Sequence, residues 1–196
     1  MADDPPQPPN PTFTHVVSDL HLAHVRIIIY EPMRQAWGVD SDAMTETMIQ
    51  AWSNIVKPED HVLNLGDFML GPKVKWPEYR LRLNGQVTIV KGNHDPIKQE
   101  HWDLMAPLNI HETLTFMDPV LGVVVCRHDP HKFTPEDIAK ADLLLHGHLH
   151  SNQHHLPARE EIRAKCVCVS IEQLPTAPAP MPWGQFQEWA RQKLGR

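Results

Sequence analysis

Residues 87–95 read VTIVKGNHD, which joins a strand-like apolar run to a polar cluster at its end. The first four residues have the β-branched composition of a buried strand. Gly92 allows the tight turn and close backbone approach that a bound ion or phosphate requires. In open α/β sheets, ligands bind beyond the carboxyl ends of the strands. The stretch therefore predicts a strand that delivers Asn93, His94 and Asp95 to a binding site.

Four other apolar runs end in polar clusters of the same kind. The runs are residues 15–17, 62–65, 123–126 and 143–145, followed by Ser18-Asp19-Leu20-His21, Gly66-Asp67, Arg127-His128-Asp129 and His146-Gly147-His148-Leu149-His150. If these strands are neighbours, all five clusters meet at one edge. Strands separated by helices or long connections predict an α/β fold of layered, mixed sheets.

Other segments complete the expected pattern. A sixth strand-like run covers residues 166–169, and residues 113–126 predict a hairpin that turns near Asp118-Pro119. Residues 41–56 predict a helix capped by Ser41, with an apolar stripe at one face. A shorter helix is predicted over residues 136–140, and the spacing of Trp183, Phe186 and Trp189 predicts a helix at the C-terminal end.

Proline marks the expected boundaries of the chain. Residues 1–12 contain five prolines and almost nothing apolar, which predicts a disordered tail. A single domain is expected over residues 13–174. Residues 175–196 are expected to form a proline-rich linker and a C-terminal helix packed on that domain.

Composition narrows the classes of function. A chain of 196 residues can bury a sizeable core, and no apolar run approaches the ~18 residues of a membrane span. The three cysteines form no paired framework, and the N-terminus is acidic rather than signal-like, so a cytoplasmic protein is expected. The net charge of −6 argues against extended nucleic-acid binding.

The donor types in the clusters indicate a metal site. Aspartate, asparagine and histidine suit Mn, Fe, Co or Zn better than calcium or magnesium cages. A two-residue step separates Asp19 from His21 and His148 from His150, which puts each pair on one side of an extended segment. Because no cysteine belongs to the clusters, a structural thiolate zinc site is not expected.

The five clusters, in this order, resemble the motifs of the calcineurin-like metallophosphoesterases. That family carries D-x-H, G-D, G-N-H-D/E, a lone H and G-H-x-H. All five are present here, over roughly residues 13–172. The chain is most similar to small bacterial or phage phosphoesterases with a DLHxxH start and a GNHD block. The resemblance implies the family's layered β-sandwich of mixed sheets flanked by helices.

The resemblance also implies a ligand set for two divalent metal ions, with manganese favoured and Fe, Zn, Co or Ni as alternatives. The first metal would be held by Asp19, His21 and His150, and the second by Asn93, His128 and His148, with Asp67 bridging both. A hydroxide bridging the metals would then hydrolyse a small phosphodiester or phosphomonoester. A phosphodiester is favoured, since Arg127 is the lone arginine in the motifs.

Further residues receive expected roles beside the metals. By resemblance, His94 is the catalytic histidine that binds no metal, and Asp95 would orient its imidazole. His24, Arg26 and Arg127 are additional candidates for contacting the substrate, and Arg34 is a weaker one.

Other functions remain open from the sequence. A catalytically silent metal-binding scaffold would usually have lost ligands or the non-ligand histidine, and both are present. Protein serine/threonine phosphatases carry G-D-x-V-D-R-G, whereas residues 66–71 read GDFMLG and lack that arginine. Nucleases of the recombination-repair type are normally longer. The sequence predicts neither the physiological substrate nor the oligomeric state.

Overall fold

Nine strands form two sheets in the part of the chain that the computed structural model describes, residues 12–196. The strands are β1 His15–Val17, β2 His61–Asn64, β3 Gln86–Val90, β4 Asn109–His111, β5 Leu114–Asp118, β6 Gly122–Cys126, β7 Leu143–His146, β8 Cys166–Cys168 and β9 Met181–Pro182. The helices are α1 Ile27–Tyr30, α2 Ser41–Ile55, α3 Trp76–Arg82, α4 Gln99–Asp103, α5 Pro135–Lys140, α6 Glu160–Arg163 and α7 Trp183–Lys193. The tail predicted over residues 1–12 lies outside the described residues, apart from Thr12.

Both sheets are mixed. The first has the order β4-β3-β2-β1-β9, in which β1 to β4 are parallel and β9 runs antiparallel to β1. The second has the order β5-β6-β7-β8, in which only the β5–β6 hairpin is antiparallel. The prediction of a single α/β domain with mixed sheets flanked by helices is confirmed at this level.

The two sheets meet where β1 and β8 end. Ser18 and Ser170 form a parallel bridge just beyond these strands, and the Ile171 N–H donates to the Ser18 carbonyl at 3.0 Å. A hydrogen bond from the Leu65 N–H to the Val17 carbonyl, 2.9 Å long, continues the pairing of β1 and β2 past their ends. As a result, the carboxyl ends of strands from both sheets face one region.

The helix α2 packs its apolar stripe into the main core, where Met44, Met48, Ile49 and Trp52 are buried. The N-cap of this helix lies one residue earlier than the sequence predicted. Asp40, rather than Ser41, is the N-cap, and its carboxylate accepts the Ala43 N–H at 2.8 Å. An aspartate and a serine are nearly equivalent caps, so the sequence did not distinguish them.

A smaller apolar cluster lies apart from the main core and includes residues of α5 and α6. In β6, Val124 and Cys126 belong to the main core, whereas Val125 between them belongs to the smaller cluster. This alternation is the period of a strand with both faces covered. The second sheet is therefore buried on both sides around β6 and β7.

The C-terminal segment is integral to the fold. Met181 pairs with Val16 through β9, so residues 175–196 add a strand to the first sheet as well as the predicted linker and helix. Phe186 and Ala190 of α7 are fully buried in the main core. The Trp183 indole N–H donates to the Asp118 carboxylate at 2.8 Å, which joins α7 to the β5–β6 hairpin.

No helix within residues 12–196 combines the length and the apolar character that crossing a bilayer requires.

The burial of α7 can be tested through Phe186. We expect Phe186→Ala to lower the free energy of unfolding by about 3–5 kcal/mol, because it opens a cavity among packed side chains. Arg191→Ala, at an exposed position of the same helix, should change it by no more than about 0.5 kcal/mol. Urea denaturation measures both. A loss below about 1 kcal/mol for Phe186→Ala would contradict the placement of α7 in the core.

Candidate metal centre

Strands of both sheets deliver the predicted ligands to one place. Asp19 and His21 follow β1, Asp67 follows β2 and Asn93 follows β3, all in the first sheet. The second sheet supplies His128 after β6 and the histidines of the GHLH segment after β7. The bridge between the sheets, at Ser18 and Ser170, lies directly beside Asp19.

The backbone is unusual at most of these positions. Six non-glycine residues among those described have positive φ: Asp19 (59°), His21 (49°), Ala23 (63°), Asp67 (52°), His148 (69°) and His150 (49°). Five of the six are predicted metal ligands. Such conformations cost on the order of 1–3 kcal/mol each and cluster at functional sites. The strain therefore supports, independently of the motifs, a site at these strand ends.

One group of donors consists of Asp19, His21 and His150, the set predicted for the first metal. Their ligand atoms all lie within 4.8 Å of one another. The two imidazole Nε2 atoms are 3.3 Å apart, and the His150 Nε2 lies 3.6 Å from the Asp19 carboxylate.

A second group consists of Asp19, Asp67 and His128, again within 4.8 Å. The Asn93 side-chain oxygen lies 3.0 Å from the His128 Nε2, so Asn93 also joins this group. The ring of His148 lies with its centroid 5.1 Å from that of His128. The set predicted for the second metal is thus assembled, with Asp19 as an additional near neighbour.

Asp67 lies between the two groups. Its Oδ2 is 3.4 Å from the Nε2 of His21 and 3.4 Å from the Nε2 of His128. Its other oxygen, Oδ1, accepts the His94 backbone N–H at 2.9 Å. A carboxylate in this position is suited to bridging two cations.

The residues present fit divalent metals. Ligand atoms about 2.0–2.2 Å from one ion are separated from each other by about 3–3.5 Å. The spacings of 3.0–3.6 Å between imidazole nitrogens and neighbouring imidazole, carboxylate or amide donor atoms are close to this separation. The mixture of imidazole, carboxylate and amide donors is typical of Mn, Fe, Co and Zn sites.

The electrostatics of the centre also favour cations. Burial opposes ionisation of Asp19 and Asp67, but the nearby histidines outweigh it and lower the pKa of both carboxyls. Burial lowers the pKa of His21 well below its usual value, which keeps this imidazole neutral. His128 behaves differently: against the effect of burial, Asp67 and Asp19 raise its pKa to about 9. A bound cation would displace that proton.

Hydrogen bonds behind the donors orient them. The His128 Nδ1–H donates to the Leu65 carbonyl at 2.6 Å, which turns its Nε2 towards Asp67. The Ser170 hydroxyl donates to the Asp19 carboxylate at 2.8 Å. Such outer contacts fix the tautomer and direction of a ligand.

Two residues beside the donors, Ser170 and Glu172, were not predicted from the sequence. Glu172 Oε1 lies 3.1 Å from the Nδ1 of His150 and so supports this ligand from behind. Both residues follow β8, the strand predicted near residues 166–169. The rule that singled out the other five clusters, polar residues after an apolar run, applies to this segment too and could have found them.

His94 lies beside the first donor group. Its ring centroid is 5.5 Å from that of His21, and its side chain is exposed. It lines a cavity of about 440 Å³ whose remaining lining residues are His21, His24, Arg26, Ile27, Tyr30, Glu31, Asp67, His148, His150 and Asn152. Two of the three substrate candidates, His24 and Arg26, therefore lie at the cavity.

The orienting contact expected between Asp95 and the His94 imidazole is absent from the structure of residues 12–196. The buried Asp95 carboxylate instead accepts three backbone N–H groups, from Asp67 at 2.8 Å, Phe68 at 3.0 Å and Gly92 at 2.8 Å. These bonds join the GD and GNHD loops. Short loops leave several amides unpaired, and a buried carboxylate satisfies them together.

The expectation for Arg127 is also corrected. Its guanidinium Nε donates to Asp137 at 2.7 Å, and Arg127 does not line the cavity beside the metal donors. Arg34 was a weaker candidate for contacting the substrate, but its side chain is fully buried and does not reach the surface. His146 lies buried at the end of β7, and burial lowers its pKa to about 4.

Comparisons with known proteins support the fold but indicate no function. No protein-family model matches the chain. The chain is 35% identical over 85 residues to the uncharacterized protein MJ1445 of Methanocaldococcus jannaschii, a match that covers 41% of this chain and 46% of that relative. The chain thus spans less than half the length of this relative.

A solved structure is similar over nearly the whole chain. It is the crystal structure of the protein of unknown function AQ665 from Aquifex aeolicus, with a TM-score of 0.68 and 22% identity, covering 89% of this chain and 97% of that one. The described arrangement of sheets and helices is therefore one that an experimentally solved protein adopts.

Gly92 provides a test of the centre. A Cβ at this position would lie 2.5 Å from the Asp67 backbone nitrogen and 2.8 Å from its carboxyl carbon, so Gly92→Ala must displace the shared carboxylate. We expect the affinity for Mn²⁺ to fall by about 10–100-fold, the usual effect of disturbing a ligand's support. Isothermal titration calorimetry measures the affinity for Mn²⁺.

Gly184→Ala is the matched control, because a Cβ there meets no atom within 4 Å. It should leave Mn²⁺ affinity unchanged. An unchanged affinity in Gly92→Ala as well would show that the Asp67 carboxylate does not bind the metal.

Proposed function

We propose that this protein is a dinuclear metal-dependent phosphoesterase of the calcineurin-like type that hydrolyses a small phosphate ester. The observation that carries the proposal is the position of Asp67. Its Oδ2 lies 3.4 Å from a histidine of each donor group, His21 and His128. Two-metal sites with ions about 3.5–4 Å apart are typical of phosphatases and nucleases, and a carboxylate shared between two groups supports such a pair.

The paired ions, when bound, supply Lewis-acid charge that activates water and stabilises the oxygens of the phosphate. The chain supplies the arrangement around them. Asp19 and Asp67 carry lowered pKa values and stay anionic, which offsets the cationic charge. Outer hydrogen bonds to His128 and Asp19 hold these donors in place before any ligand arrives.

His94 is the proposed general acid. Its backbone N–H is bonded to Asp67, and its exposed imidazole lines the same cavity as the metal donors. It is therefore within reach of an ester held at the centre, where it can donate a hydrogen bond to a phosphoryl oxygen or a proton to the leaving group.

The cavity supports a small substrate. Its volume of about 440 Å³ is in the range of small-molecule sites. Beyond the metal donors, Arg26 and Asn152 offer polar contacts and Ile27 and Tyr30 offer apolar ones. A phosphate ester with a compact organic group fits these walls. A phosphodiester remains the favoured substrate, with the phosphomonoester as the alternative.

Activity separates this proposal from a silent metal-binding scaffold. We expect the Mn²⁺-loaded protein to hydrolyse bis(p-nitrophenyl) phosphate faster than p-nitrophenyl phosphate, and to lose activity when the metal is removed by a chelator. Absorbance of released nitrophenolate measures both. Asp67→Asn, prepared in parallel, excludes a contaminating phosphatase. A protein that binds two ions and hydrolyses neither ester would be a scaffold, and faster turnover of the monoester would reverse the preference.

The role of His94 has its own test. We expect His94→Ala to retain both metal ions and to lower kcat by about 10²–10⁴-fold, the usual range for loss of a general acid. His101→Ala is the control, since His101 packs against Trp76 and does not line the cavity. Metal content and steady-state rates are measured together. Loss of metal from His94→Ala would make His94 a ligand instead.

A further inference from the structure

We propose that Arg34 and Glu172 form a buried positioning pair, which holds the Asp19–His21–His150 group in its metal-binding geometry and leaves the Asp67–His128 group unaffected. The inference rests on the metal-binding part of the proposed function. It assigns to Arg34 a role that needs no contact with substrate.

Arg34 holds the loop that carries the first two donors. Its guanidinium is fully buried, with Nη2 donating to the Asp19 carbonyl at 2.5 Å and Nη1 to the Leu20 carbonyl at 2.8 Å. Asp19 and His21, on either side of Leu20, have φ of 59° and 49°. Strained conformations persist only where the surroundings over-determine them. Two charge-assisted hydrogen bonds to this loop supply that constraint.

Glu172 extends the same contact to the third donor. Its Oε1 accepts the Arg34 Nε–H at 2.5 Å and lies 3.1 Å from the Nδ1 of His150. An imidazole bonded to a carboxylate through Nδ1 presents Nε2 to a metal, and the carboxylate fixes both tautomer and ring direction. Here the Nε2 of His150 points to within 3.3 Å of the His21 Nε2.

One guanidinium therefore links ligands from distant segments. Asp19 follows β1 in the first sheet, His150 follows β7 in the second, and Glu172 follows β8. The pair thus connects the two sheets beside these donors, next to the bridge between Ser18 and Ser170. The ring of Trp37, with its centroid 5.4 Å from the Arg34 guanidinium carbon, covers the pair on another side.

Stability alone does not account for the pair. Burying two charges costs desolvation, and apolar replacements of buried ion pairs are often neutral or stabilising. The second oxygen, Glu172 Oε2, is buried and has no hydrogen-bond partner within residues 12–196, which adds to that cost. The bonds of this costly buried pair lead to two donors of one metal position, Asp19 and His150, and to Leu20 beside the third, His21. The geometry that the pair imposes on these donors explains why it is buried.

Asp67 and His128 of the other donor group are supported separately, and the Asp19 carboxylate, which belongs to both groups, also accepts the Ser170 hydroxyl. The Leu65 carbonyl orients His128, and the His94 N–H together with the Asp95-bound backbone holds Asp67. None of these contacts includes Arg34 or Glu172. Removal of the pair should thus weaken one metal position and spare the other, which a general loss of stability would not do.

The double variant Arg34→Met/Glu172→Met tests the inference, because it removes both charges and leaves neither one buried alone. We expect wild-type protein to bind two Co²⁺ ions. In the variant, one should keep near-wild-type affinity and the other should bind about 10–100-fold more weakly. Isothermal titration gives the two affinities, and the visible absorption of Co²⁺ reports which equivalent has changed its coordination. The single variant Arg34→Lys, which keeps the positive charge and Glu172, should bind the weakened ion more tightly than the double variant does.

Arg80→Met is the matched control. Arg80 is also buried and also donates to carbonyls, those of Leu83, Gly85 and Pro107, but it contacts no metal donor. It should leave both affinities unchanged. The inference is overturned if the double variant binds both ions normally, loses both equally, or fails to fold. Wild-type protein that binds no ion would instead refute the proposed function.

Discussion

The carboxylate of Asp67 lies at equal distance, 3.4 Å, from histidines that belong to two donor groups, and much of the surrounding backbone serves to keep it there. Asp67 itself has φ of 52°. Its own N–H, and those of Phe68 and Gly92, bind one buried carboxylate, Asp95. Because a displaced Asp67 would separate the two groups, this single side chain limits how the strand-end loops can be arranged.

Two buried carboxylates outside the ligand set perform comparable tasks on opposite sides of the centre. Asp95 gathers backbone amides beneath Asp67, and burial together with the charge of Asp67 raises the pKa of its carboxyl. Glu172 is paired with Arg34 and supports His150. In each case a polar group is buried at a cost and positions a donor from behind. The candidate donors are thus held in place by residues outside the donor set.

Elements with a local sequence pattern were predicted correctly. Apolar runs identified β1, β2, β3, β6, β7 and β8, and the hairpin of β5 and β6 followed from the turn at Asp118-Pro119. Two short strands, β4 and β9, were not predicted. β4 contains a single apolar residue, Ile110, and β9 has two residues, one of them Pro182, so neither offers an apolar pattern that could be recognised. Both form because a neighbouring strand already presents unpaired backbone groups, a condition that exists only after folding.

The residue types after each strand were sufficient to name the candidate donors and their chemistry, because ligand preference belongs to the side chain and strand ends share an edge. The partners of the arginine side chains could not be predicted in this way. Arg34 and Arg127 looked alike as basic residues near the motifs, yet one is buried beside Asp19 and the other is tied to Asp137. Arg34 also pairs with Glu172, which lies 138 residues further along the chain. The pairing of Arg34 with Glu172 depends on how the two sheets meet at Ser18 and Ser170, and only the packed structure determines that contact.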